Sequence, residues 1–71
     1  MENYLPKMMV ILEVDQVELD DSLSSFDSWD SMTILMVIDF CSGEYGVTLS
    51  ADEVENSQTI NGLKELIESK L

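Results

Sequence analysis

Apolar residues recur at helical spacing in four stretches of the chain, and no stretch shows the strict alternation of a half-buried strand. The first stretch predicts a helix over 3–14, where Leu5, Met8, Met9 and Leu12 line one face and Tyr4 joins them. Asn3 is suited to cap it, and Pro6 is tolerable in a first turn. Residues 15–29, DQVELDDSLSSFDSW, lack sustained periodicity. They read as a long loop tacked to the core by Val17, Leu19, Leu23, Phe26 and Trp29; a loop this long in a small domain often serves a function.

A second helix is expected from Asp30 or Ser31 to about Glu44, with Gly46 as the C-terminal stop. At 100° per residue, Ile34, Val37, Ile38, Cys41 and Tyr45 fall on one face, which is the core face. Met32, Leu35, Met36, Asp39 and Gly43 fall on the other, where water is expected. Ser50 and Glu53 form a capping box for a short helix over 50–56, anchored by Leu49 and Val54. Thr59 then caps a last helix over 60–70, with Ile60, Leu63, Leu66, Ile67 and Leu71 facing inward and Gly62 weakening it slightly. The expected fold is all-α: a small four-helix bundle, one domain over 1–71, with a long loop between the first and second helices and a short third helix.

Charge changes the picture most. Fifteen acids face three lysines, with no Arg or His, for a net charge of −12. Nucleic acid and anionic membrane are not expected as partners, because no basic patch exists to meet phosphates. The apolar runs are too short to span a bilayer. Basic surfaces of other proteins are the natural partners of such a chain. A single cysteine, no internal disulfide and a first segment without a basic leader predict a cytoplasmic protein.

Candidate chemistry is sparse. A serine needs an adjacent base to attack anything, and this chain has no histidine, so a Ser-His-Asp triad is impossible within it. The acids of the loop follow no calcium-loop spacing, and no dedicated metal site is expected. Cys41 lies on the core face and reads as a small, inert hydrophobe. Met32, Leu35 and Met36 leave two readings: either they are core and the helical phase is shifted, or they form an adaptable contact surface, which their Met content favours. The dipeptide Asp-Ser occurs twice, at Asp27-Ser28 and Asp30-Ser31, beside the start of the second helix. Ordinary capping, phosphorylation, or an attached phosphodiester held by the positive helix end all suit a serine there, and local chemistry alone does not separate them.

The run DSMTILMVIDFCSGEYGVTLSADEVENSQTINGLKELI resembles the acyl carrier proteins of fatty-acid and polyketide synthesis, and their peptidyl and D-alanyl carrier relatives. The matching features are Asp30-Ser31-Met32 opening the second helix, Glu44-Tyr45 ending it, Leu49 in the following loop, the acid-rich segment 50–56, and Thr59 opening the last helix. Their order and spacing run from Asp30 to Ile67 without a gap. The resemblance implies a carrier rather than an enzyme, with 4′-phosphopantetheine attached to Ser31 and an acyl group held on its thiol. It makes Asp30 and Met32 the flanking recognition residues, and a phosphopantetheinyl transferase the installing partner. Acyl-loading and acyl-processing enzymes with basic surfaces would dock on Met32, Leu35, Met36 and Asp39, and the carrier is expected to be a monomer. Placing the signature on Ser28 would shift the register by three residues and misplace Tyr45. The chain departs from the usual pattern in having few acids on the second helix, Ser57 where an aliphatic anchor is common, and Trp29 before the signature. These departures point to a specialised carrier that leans on apolar contact. An aminoacyl or peptidyl carrier, and an unmodified acidic interaction domain, are the alternative readings.

Overall fold

The structure is a computed structural model that describes residues 3–71. Residues 1 and 2, part of the first segment read above as lacking a basic leader, lie outside them. Four α-helices follow in order: α1 (Tyr4–Leu12), α2 (Ser31–Tyr45), α3 (Ala51–Asn56) and α4 (Ile60–Ser69). The fold is a small all-α bundle, as the periodicity predicts. No helix among the described residues is long and apolar enough to cross a membrane.

The core is a single cluster to which every helix contributes. Tyr4, Met8, Ile11 and Leu12 of α1 meet Ile34, Val37 and Cys41 of α2, Val54 of α3, and Ile60, Leu63 and Ile67 of α4. Val47 and Leu49 close it from the loop after α2. The phase expected for α2 holds: Ile38 and Tyr45 are half-buried beside the fully buried residues of that face. In α1 the inward row is Tyr4, Met8, Ile11 and Leu12, while Leu5 and Met9 pack only at its edge. Burial pushes the Tyr4 hydroxyl far above its ordinary pKa. That hydroxyl donates to the Ile60 carbonyl at 2.6 Å and so ties α1 to α4.

Helix ends follow their local signals where those exist. Gly46 adopts φ 68°, and Gly46 and Val47 return their N–H groups to Ser42 and Cys41. This is the left-handed stop that glycine permits at least cost. Ser50 and Glu53 form the expected capping box at α3. The Glu53 carboxyl is held below its usual range, first by the Ser50 backbone N–H, and also pairs with Lys70 at 3.1 Å.

Other features need correction. α1 ends at Leu12, not near Val14, because Glu13 turns left-handed at φ 59° and Val14 donates back to Met9. Asn3 makes no capping bond; its amide donates instead to Glu44 Oε1 at 3.0 Å. Leu71 is exposed rather than inward. Within the long loop, Val17 and Leu23 are buried and Phe26 and Trp29 half-buried, but Leu19 points to water. The loop is also not structureless: Leu23–Ser25 form a 3-10 turn. Its backbone is joined to the start of α4. Leu23 donates to Gln58, while Ile60 donates to Asp21 and Asn61 to Leu19, at 2.8, 3.0 and 2.7 Å.

Gly62 does more than weaken α4. A Cβ built there would lie 2.0 Å from the Ser57 carbonyl oxygen. The bend between α3 and α4 brings backbone against backbone at this point, and only glycine leaves the space.

Candidate functional site

The start of α2 is where the two Asp-Ser pairs part company. Asp30 sits in an extended conformation and caps the helix: its Oδ1 accepts from the Thr33 N–H at 2.9 Å. That bond is the main reason its carboxyl is held below the ordinary range. It is therefore ionised at neutral pH.

Ser28 is absorbed into the scaffold. Its hydroxyl donates to the Leu12 carbonyl at 2.8 Å, satisfying one of the carbonyls that α1 leaves open at its end. Its own carbonyl accepts from the Thr33 hydroxyl. Thr33 is buried, so its side chain is fixed. A continuous chain of bonds thus runs from Leu12 through Ser28 and Thr33 to Asp30. It joins the last turn of α1 to the first turn of α2.

Ser31 is different. It is the first residue of α2, it is exposed, and neither its hydroxyl nor its backbone N–H has a hydrogen-bond partner among the described residues. The hydroxyl is thus carried on the first residue of a capped helix and is itself unengaged. No basic side chain bonds to it among the described residues. An anionic group attached to it would meet the open N–H and the positive end of the α2 dipole. The Asp30 carboxylate lies beside it but is turned to the Thr33 N–H.

Beyond Ser31, α2 presents an apolar surface to solvent. Met32, Leu35 and Met36 are 65%, 57% and 43% exposed, with Asp39 and Gly43 exposed on the same side. These three are not core residues, which removes the shifted-phase reading. Cys41, on the opposite face, is buried and its thiol is pushed up to about 11, so it is neutral and unreactive at physiological pH. Tyr45 ends the helix half-buried, stacked edge-on against Phe40 with ring centres 5.3 Å apart. Its hydroxyl has no partner among the described residues. No three acidic or cysteine side chains among those residues converge as metal ligands would.

Sequence reasoning overlooked two contributors. Thr33 reads as a polar residue in an apolar run, yet it links Ser28 to Asp30. Val10, outside the row assigned to the α1 core, is 69% exposed and faces the start of α2. For Thr33, the residue three places after an N-cap, the position itself was a usable signal; for Val10 nothing local was. Comparison with protein-family models, curated proteins and solved structures finds no match for this chain.

Proposed function

We infer that this chain is a carrier protein, in which Ser31 is the attachment point for 4′-phosphopantetheine. The observation that carries the reading is Ser31 itself: an exposed, unengaged serine hydroxyl, fixed at the first position of α2 and bordered by an exposed apolar face. The residues fit the group. A phosphodiester on Ser31 gains an open backbone N–H and the helix dipole, and neither demands that an existing bond break. When bound, the arm supplies a terminal thiol that holds an acyl group as a thioester. The protein's own part is to hold Ser31 outward, to keep Asp30 and Met32 beside it for the installing transferase, and to offer Leu35, Met36 and Asp39 to the enzymes that load and process the acyl group. Tethering raises the effective concentration of the cargo at those enzymes. The net charge of −12 favours partners with basic surfaces and disfavours self-association, which suits a monomer in the cytoplasm. The pathways this reading admits are fatty-acid, polyketide or specialised lipid synthesis.

Incubation of the protein with a phosphopantetheinyl transferase and coenzyme A, followed by intact-mass measurement, tests this. One arm is expected to be gained, lost in Ser31→Ala and retained in Ser28→Ala. Ser28→Ala is expected instead to lower stability by about 1 kcal/mol, the worth of one hydrogen bond. No gain with several transferases would overturn the carrier reading and leave an acidic interaction domain acting through the same face. Loading with fatty-acyl, malonyl or aminoacyl donors then separates an acyl carrier from an aminoacyl or peptidyl carrier.

A further inference from the structure

Of the large apolar side chains exposed among the described residues, Leu19 lies in the long loop and Leu71 beyond α4; the other four, Val10, Met32, Leu35 and Met36, gather on α1 and α2. α3, the other helix packed against α2, offers no counterpart. Its exposed residues are Ala51, Asp52, Glu55 and Asn56, and its Val54 is buried. The exposed apolar surface beside α2 is therefore turned toward α1.

It follows the seam between these two helices. They run antiparallel, since Asn3 reaches Glu44 at one end and Ser28 reaches Leu12 at the other. Two grooves, of about 360 and 310 Å³, lie along the seam. Met32 and Met36 line the first, Pro6 and Phe40 the second, and Val10 lines both. Spaced four residues apart, Met32, Met36 and Phe40 form one row of about 12 Å, roughly two helical turns. Acids stand at both ends: Glu13 and Asp30 in the first groove and Glu44 in the second, with Lys7 the one cation among the lining residues. An apolar strip of this length, rimmed by acids, is complementary to a helix whose apolar row is rimmed by bases. A second copy has the wrong rim, because its own strip carries the same acids and each chain a net charge of −12.

Ser31 lies clear of the strip. At 100° per residue it falls about 140° around α2 from Met36, in line with Leu35 and Ser42. A partner seated on the seam thus leaves Ser31 uncovered.

We propose that the α1–α2 seam is a docking face for an amphipathic helix of a partner enzyme, with the apolar row of that helix on Val10, Met32, Met36 and Phe40 and its Lys or Arg side chains against the acids of the rim. Val10 makes α1 part of the contact, and the two methionines let the face adapt to more than one such helix. That the partner is an enzyme acting on a group at Ser31 rests on the carrier reading above; the shape and charge of the face do not.

The probe is a synthetic peptide of about 18 residues, with leucine at helical spacing on one face and lysine on the other. It is titrated into the protein while backbone amide shifts are followed. Shifts are expected at Val10, Met32, Met36 and Phe40. Val10→Glu is expected to weaken binding by about tenfold, the loss of one central contact. This variant adds an acid at an exposed position, so a peptide held by charge alone would bind it at least as tightly. Met36→Ser, also exposed, should weaken binding too, and Ser31→Ala should leave it unchanged. Shifts centred on residues 15–21 or on α3, or binding that Val10→Glu does not weaken, would overturn the proposal. Shifts along the seam that grow with protein concentration, without peptide, would give the face to a second copy and overturn it equally. If the seam binds while Ser31 takes no arm from coenzyme A, the carrier reading fails and the docking face stands; an arm gained with no binding at the seam does the reverse.

Discussion

α2 and α4 begin in the same way and are then treated oppositely. Each is capped by a side-chain oxygen that accepts from the third backbone N–H at 2.9 Å: Asp30 to Thr33, and Thr59 to Gly62. At α4 the remaining first-turn donors are also occupied. Ile60 and Asn61 donate to Asp21 and Leu19 of the long loop, and Leu63 donates to Thr59. At α2 Ile34 donates to Asp30 in the same way, but no distant segment arrives, and the Ser31 N–H has no partner among the described residues. Capping residues are therefore no guide to which helix end is available. What decides is whether distant chain fills the donors next to the cap. An end whose donors are taken is structural, and an end whose donors are open can receive a charged group.

The sharpest way to break this contrast is at Gly62. By helix propensity alone, Gly62→Ala should stabilise α4 by up to about 1 kcal/mol. With the Ser57 carbonyl in the way, it is expected to destabilise by about 3 kcal/mol, the cost of forced overpacking. Chemical denaturation reads the sign directly, and a gain in stability would show that the packed end of α4 is not tight. A smaller effect separates the two helix ends themselves. Thr59→Ala is expected to cost about 1 to 2 kcal/mol by loss of its cap, while Ser31→Ala should stay within about 0.5 kcal/mol of the parent. Equal losses would mean that Ser31 carries structural weight.

Smallest is the effect of acid on Asp30. Its folded pKa is lowered, so its contribution to stability is present above the unfolded value and is lost as pH falls through the folded one. Asp30→Asn should therefore melt below the parent at pH 7, and the gap should narrow as the pH is taken below the ordinary aspartate range. A gap independent of pH would show that the Thr33 bond does not depend on the charge.

Much of this molecule was legible because its signals are local. The caps at Asp30, Ser50 and Thr59, the stop at Gly46 and the phase of α2 each depend on residues within a turn or two of one another. What sequence reading missed depends on partners far along the chain. Leu19 seemed an apolar anchor, but its backbone carbonyl is what the fold uses, 42 residues from the amide it serves. Gly62 seemed a weak helix former until the Ser57 carbonyl was seen against it. Ser28 and Ser31 have the same preceding residue; the register to Tyr45 favours Ser31, but that the end of α1 arrives at Ser28 and engages its hydroxyl was not legible. The left-handed turn at Glu13 carries no glycine to announce it, and its partners lie in the tertiary structure.

The joint between the long loop and the start of α4 also bears on how the molecule assembles. It brings together backbone from about 40 residues apart, so it cannot form until a large loop has closed, and that closure costs about 3 kcal/mol in chain entropy before any bond repays it. Helices α1 and α2 meet at the Ser28–Leu12 end through a span of only 16 residues, and that contact need not wait for it. The region around Ser31 thus belongs to the part that can organise early, while the joint to α4 must wait for a larger loop to close.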